Sequence, residues 1–93
     1  MIADTIKQLR ERTGFTQSEL AKKLNITRSS VNAWEMGISA PSTQYIVELA
    51  DIFKVTTDYI LGVSDYEVLN ISNLTEKQMK ALYAVIDAFE TLE

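Results

Sequence analysis

The sequence predicts an all-α protein, and three observations carry that expectation. Gly and Pro are scarce, at three and one in 93 residues, which disfavours a turn-rich β architecture. Ser or Thr recurs at helix starts with a fixed pattern of apolar neighbours. Strand signals are almost absent, with only Val68-Leu69-Asn70-Ile71 resembling one.

The elements follow in order. A helix is expected over 2–13, ending at Gly14, which can close it in a left-handed conformation. Thr16 opens a second helix, 17–24, flanked by Phe15 before and Leu20 after. Thr27 opens a third, 28–36, between Ile26 and Val31, with Gly37 as its stop. Ser42, after Pro41, starts a fourth, 43–53. Thr56, between Val55 and Ile60, starts a short fifth, 57–61, stopped by Gly62. Thr75, between Leu74 and Met79, starts the sixth, 75–91. The hydroxyl caps an orphan N–H and the apolar pair staples the entry angle. Thr16-Gln17-Ser18-Glu19 and Thr75-Glu76-Lys77-Gln78 are full capping boxes. Residues 1–62 therefore form one unit, 63–74 a linker and 75–93 a terminal helical segment.

Composition narrows the function. The chain has no Cys and no His, so Cys/His zinc sites, thiol nucleophiles and Ser-His-Asp triads are excluded. Acidic residues never cluster at metal-ligand spacing and no Gly-rich phosphate loop occurs. An enzyme, a metal and a cofactor are therefore not expected. No apolar run approaches the roughly 20 residues of a membrane span, and Met1-Ile2-Ala3-Asp4 does not open a signal peptide. A soluble cytoplasmic protein with no membrane partner is expected. The net charge of −4 is unevenly placed: residues 1–62 carry seven basic and seven acidic side chains, residues 63–93 two and six. The first 62 residues can thus face a polyanion although the whole chain is acidic.

Helices 17–24 and 28–36, joined by Asn25-Ile26-Thr27, have the outline of a helix-turn-helix. Ala21 is small where the two helices meet, Leu20 and Leu24 share its face, and Val31 and Trp34 answer from the third helix. Asn25 suits a left-handed turn position. Trp34, Phe53, Tyr45 and Tyr59 are expected in the core or at its rim, and Lys22 and Lys23 on a solvated face.

These residues resemble the Cro/phage-repressor-type helix-turn-helix regulators, the XRE family. The matching stretches are Ile6-Lys7-Gln8-Leu9-Arg10-Glu11, Gly14 to Ala21, Ile26 to Val31, Trp34-Glu35-Met36-Gly37, Pro41-Ser42, and Leu49 to Phe53 with Thr57 to Gly62. The resemblance covers about residues 2–62. It implies a lambda-repressor-like five-helix DNA-binding domain plus a C-terminal helix, with the third helix in the major groove. Carried over by position, Arg28, Ser29, Asn32 and Ala33 would read bases. Arg pairs with guanine, Asn with adenine when it reaches, Ser bonds either way and Ala meets a thymine methyl. Gln17, Thr27 and Arg10 would hold phosphates, and Arg10 would also pair with Glu35 between the first and third helices. Asn25 replaces the usual Gly, and the loop Gly37 to Pro41 lacks the basic residue of many relatives. Roughly 3–5 phosphates per subunit then give a log–log salt slope of about −3 to −5.

On the last helix, Met79, Leu82, Ile86 and Phe89 recur at spacing 3, 4, 3, with Tyr83 widening the stripe. It either packs on its own chain or pairs with a second copy, and dimerisation is the favoured expectation. The combined expectation is a homodimeric transcriptional regulator, most simply a repressor, on double-stranded DNA. Its length leaves no room for a ligand-sensing domain, so a regulatory protein partner or concentration would control it. The alternative is an antitoxin or adaptor that uses the fold for protein contact.

Overall fold

The computed structural model describes residues 1–64 and 71–90. Among these residues it contains six helices and no strand: α1 Ile2–Thr13, α2 Gln17–Leu24, α3 Arg28–Glu35, α4 Thr43–Phe53, α5 Thr57–Leu61 and α6 Glu76–Glu90. Most of the Val68 to Ile71 stretch lies outside the described residues.

The expected caps form. Thr16 Oγ1 accepts from the Glu19 N–H at 3.0 Å while Glu19 accepts from the Thr16 N–H at 2.9 Å. Thr27 Oγ1 accepts from the Ser30 N–H and Thr56 Oγ1 from the Tyr59 N–H. Thr75 and Gln78 make the second reciprocal box. Glu19 is held below the usual carboxylate range by these hydrogen bonds to Thr16.

Three details differ from the expectation. Ser42 precedes α4, yet its side chain makes no cap bond. Helix α3 ends one residue early: Met36 is its right-handed C-cap, and Gly37 turns left-handed just beyond, at φ 73°. Lys54 closes α4 in the left-handed region at φ 59°, where glycine is usual. Asn25 does the same after α2, at φ 58°, as its place in the turn requires.

The five N-terminal helices enclose one core. Ile6 and Leu9 of α1 meet Leu20, Ala21 and Leu24 of α2, Val31 and Trp34 of α3, Ile46, Leu49, Ala50 and Phe53 of α4, then Val55 and Ile60. Phe15, Ile26, Tyr45 and Tyr59 pack around it half-buried. Trp34 tilts against Tyr45 with ring centroids 5.6 Å apart. Burial of roughly thirteen apolar side chains, at about 1.5–3 kcal/mol for each large one, fixes how α2 and α3 cross.

Helix α6 buries no residue. Tyr83 is 62% and Phe89 66% exposed, and Val85 and Ile86 are also open; Met79 and Leu82 are half-buried. The core of the other five helices contains none of its side chains.

Candidate nucleic-acid interface

Helix α3 turns two faces. Val31 and Trp34, three residues apart, point inward and are buried. Arg28 and Ser29 are exposed, and Asn32 and Ala33 are half-exposed. The 3.6-residue period puts 28, 29, 32 and 33 on one side of the helix and 31 and 34 on the other. Arg28, Ser29 and Ala33 engage no side-chain partner among the described residues. All four expected base-reading residues thus share the outward side.

Behind them lies a polar lock. Arg10 of α1 grips Glu35 of α3 twice: Nε donates to Oε2 at 2.6 Å and Nη2 to Oε1 at 3.0 Å. Its Nη1 donates to the Phe15 carbonyl at 2.8 Å. One guanidinium therefore ties α1, the entry to α2, and α3. The two side chains are only 13% and 3% exposed. Burial pushes the Glu35 carboxyl up, but hydrogen bonds from Arg10 and Gln17 and the Arg10 and Lys7 charges outweigh it. The net effect holds Glu35 below the usual glutamate range. The same hydrogen bond raises the already high Arg10 pKa, against the opposing effect of its burial.

Gln17, the first residue of α2, joins the lock. Its Nε2 donates to Glu35 Oε1 at 3.1 Å and to Asn32 Oδ1 at 3.2 Å. Its Oε1 is buried without a partner. The expected phosphate contacts therefore sit differently from one another. Thr27 is exposed at the start of α3, its hydroxyl 3.0 Å from that of Ser30. The Gln17 amide and most of the Arg10 guanidinium face inward, because the fold engages their donors. At this end of α2, the orphan backbone N–H groups of the first turn complement the outward surface.

The bond from Gln17 to Asn32 has no counterpart in the sequence-based expectation. Its signal was present: Asn32 and Glu35 lie one helical turn apart, and a residue able to donate to both must come from α2.

Next to α3 runs a shallow groove lined by Ser29, Ser30, Ala33, Ser39, Ser42 and Tyr45. It is rich in hydroxyls and carries no charge. Among the described residues, no group of three or more Asp, Glu, His or Cys could hold a metal, and no helix is long and apolar enough to cross a membrane.

Residues 6–60 match the family model described as helix-turn-helix. This chain belongs to the XRE-type helix-turn-helix family. The XRE-type protein is 30% identical over 87 residues to the HTH-type transcriptional regulator ImmR of Bacillus subtilis (strain 168), which spans 94% of this chain and 68% of ImmR. It is 36% identical over 75 residues to the antitoxin PezA of Streptococcus pneumoniae serotype 4, spanning 73% of this chain and 48% of PezA. Two further Bacillus subtilis regulators are spanned over 58 and 60% of their lengths. Among solved structures it is similar to the master regulator for biofilm formation SinR in complex with DNA. The identity there is 31% and the TM-score 0.61, over 66% of this chain and 98% of that one.

Proposed function

We propose that this XRE-type protein is a sequence-specific double-stranded DNA-binding transcriptional regulator. It acts as a homodimer on a near-palindromic operator and represses by occlusion. The observation that carries this reading is the outward face of α3. Arg28, Ser29, Asn32 and Ala33 lie together there on a helix anchored from behind by the Arg10–Glu35 pair. A reader of base edges needs side chains held in register, and a buried two-point ion pair supplies that register. The bound DNA of SinR, a structure 31% identical to this chain, supports the same assignment.

Each residue has a role in this reading. Arg28 pairs with guanine O6 and N7, Ser29 bonds a base or phosphate, and Ala33 meets a thymine methyl. Thr27 and the first turn of α2 meet phosphates. Gln17 and Arg10 act chiefly as positioning residues, with the outer N–H of Arg10 able to reach a phosphate. Met79, Leu82, Tyr83, Ile86 and Phe89 form the dimer contact, bringing two half-sites about one helical turn apart, 10–10.5 bp. The acidic segment then lies away from the DNA.

The deciding experiment is selection of binding sites from a random duplex library at about 150 mM salt, where specific and non-specific binding separate. A near-palindrome is the expected product. A folded protein that enriches nothing would defeat this reading.

The second reading, an antitoxin or adaptor, draws on the open apolar side of α6 and the likeness to PezA. The two part at Arg28→Ala, which weakens a DNA reader and leaves an adaptor unchanged.

A further inference from the structure

Asn32 has the side chain that pairs with adenine, and that pairing uses both ends of the amide. Oδ1 must accept from adenine N6 while Nδ2 donates to N7. Here one end is already engaged, because Oδ1 accepts from Gln17 Nε2 at 3.2 Å. Nδ2 has no hydrogen-bond partner among the described residues, and the side chain stands half-exposed on the outward side of α3.

The direction of this bond is set by charge. Gln17 Nε2 also meets Glu35 Oε1 at 3.1 Å. Glu35 is gripped by Arg10 at two points, and an ionised carboxylate only accepts. The Gln17 atom facing it must donate, so it is the amide nitrogen. That nitrogen also faces Asn32, so the Asn32 atom opposite must accept. Oxygen and nitrogen of an amide are alike in shape, and the Glu35 carboxylate breaks the tie for both side chains. Rotating Gln17 by half a turn would set its oxygen against the carboxylate. The fold tolerates instead a buried Gln17 Oε1 with no partner.

Resting on the proposed function, we infer that Asn32 is a donor-only reader whose polarity is imposed by the relay Arg10–Glu35–Gln17. Its Nδ2 suits an edge that offers acceptors, guanine N7 and O6 first and thymine O4 next. It disfavours adenine, whose N6 is itself a donor. Gln17 and Glu35 are then positioning residues for base choice.

The test has two arms. In the free protein, hydrogen exchange of side-chain amides by NMR is expected to show slowed exchange at the Gln17 NH2. The Asn32 NH2 is expected to exchange like that of a solvated asparagine. The reverse pattern would overturn the inference, and this arm needs no DNA. In the second arm, sites are selected by the wild type, Asn32→Ala and Gln17→Met, which fills similar volume without a donor. The base pair read by Asn32 is the one whose preference vanishes in Asn32→Ala. There the wild type is expected to favour guanine or thymine over adenine by about 5- to 150-fold, the range of one good base contact. Gln17→Met frees Oδ1, and adenine becomes the favoured base. Adenine favoured by the wild type, or no preference lost in Asn32→Ala, would overturn the inference while the proposed function stands. If a folded wild type selects nothing, the proposed function fails and the amide arm alone decides the polarity.

Discussion

Arg10 and Glu35, 25 residues apart in sequence, meet through two hydrogen bonds of 2.6 and 3.0 Å at the back of the recognition surface. Removing one partner leaves the other charged and buried. Glu35→Ala is therefore expected to cost about 3–5 kcal/mol. The double change Arg10→Met/Glu35→Leu, which removes both charges, is expected to cost only about 1–2 kcal/mol. Urea denaturation of the two variants checks this, and equal losses would refute it.

The same pair gives stability a pH dependence. The folded-state pKa of Glu35 is depressed. Its contribution is thus fully present above the unfolded value, about 4.3, and is lost as pH falls through the folded value. Glu19, also depressed, adds in the same direction. Arg10 stays charged throughout and adds no slope. The urea midpoint of the wild type is expected to fall below about pH 4.5, and that of Glu35→Gln to fall less steeply. Parallel curves would show that Glu35 is not the source.

Lys54 sits in the left-handed region at φ 59°, and its 3.9 Å contact with Asp51 is exposed at both ends. An exposed pair of this kind contributes little, whereas the conformation costs an L-residue roughly 1–2 kcal/mol. Lys54→Gly is expected to stabilise by about 0.5–1 kcal/mol once the added freedom of the unfolded chain is set against the gain. A lowered melting temperature would contradict the argument.

Arg28 is exposed and engages nothing in the fold. Arg28→Ala is expected to leave stability within about 0.5 kcal/mol. It should weaken binding to the selected operator by about 1–3 kcal/mol and relax one base preference. Uniform weakening on all duplexes would instead mark Arg28 as a phosphate contact.

Ile86 and Phe89 lie on the open side of α6. A charge there has no core to disrupt, so Ile86→Asp/Phe89→Asp is expected to preserve the melting of the five-helix body. The variant should sediment as a monomer where the wild type is a dimer. It should also bind a full operator no better than a half-site. A wild type that is monomeric at high concentration would remove the dimer from the proposed function.

Much of the backbone was legible because capping is local chemistry. Thr16, Thr27, Thr56 and Thr75 announce their helices through a hydroxyl three residues from the N–H it satisfies. Gly14 and Gly62 announce the ends of α1 and α5 by left-handed closure. Lys54 was not legible as a left-handed cap, because nothing in a lysine favours that conformation. The missing bond at Ser42 was hidden too, since a serine at a helix start names the position and not the rotamer. The four outward positions of α3 followed from helical period. The inward turn of Gln17 did not, because it depends on where Asn32 and Glu35 come to lie across the α2–α3 corner.

The Gln17–Asn32 bond also bears on how this surface can diverge. Positions 28, 29 and 33 are bound to nothing else in the fold and can change one at a time as an operator drifts. Position 32 cannot, because any replacement there meets the Gln17 donor, which is itself held by Glu35. New specificity at that base pair requires paired substitutions at 17 and 32. A lineage that preserves Gln17 is expected to vary its DNA targets freely at three of these positions and slowly at the fourth.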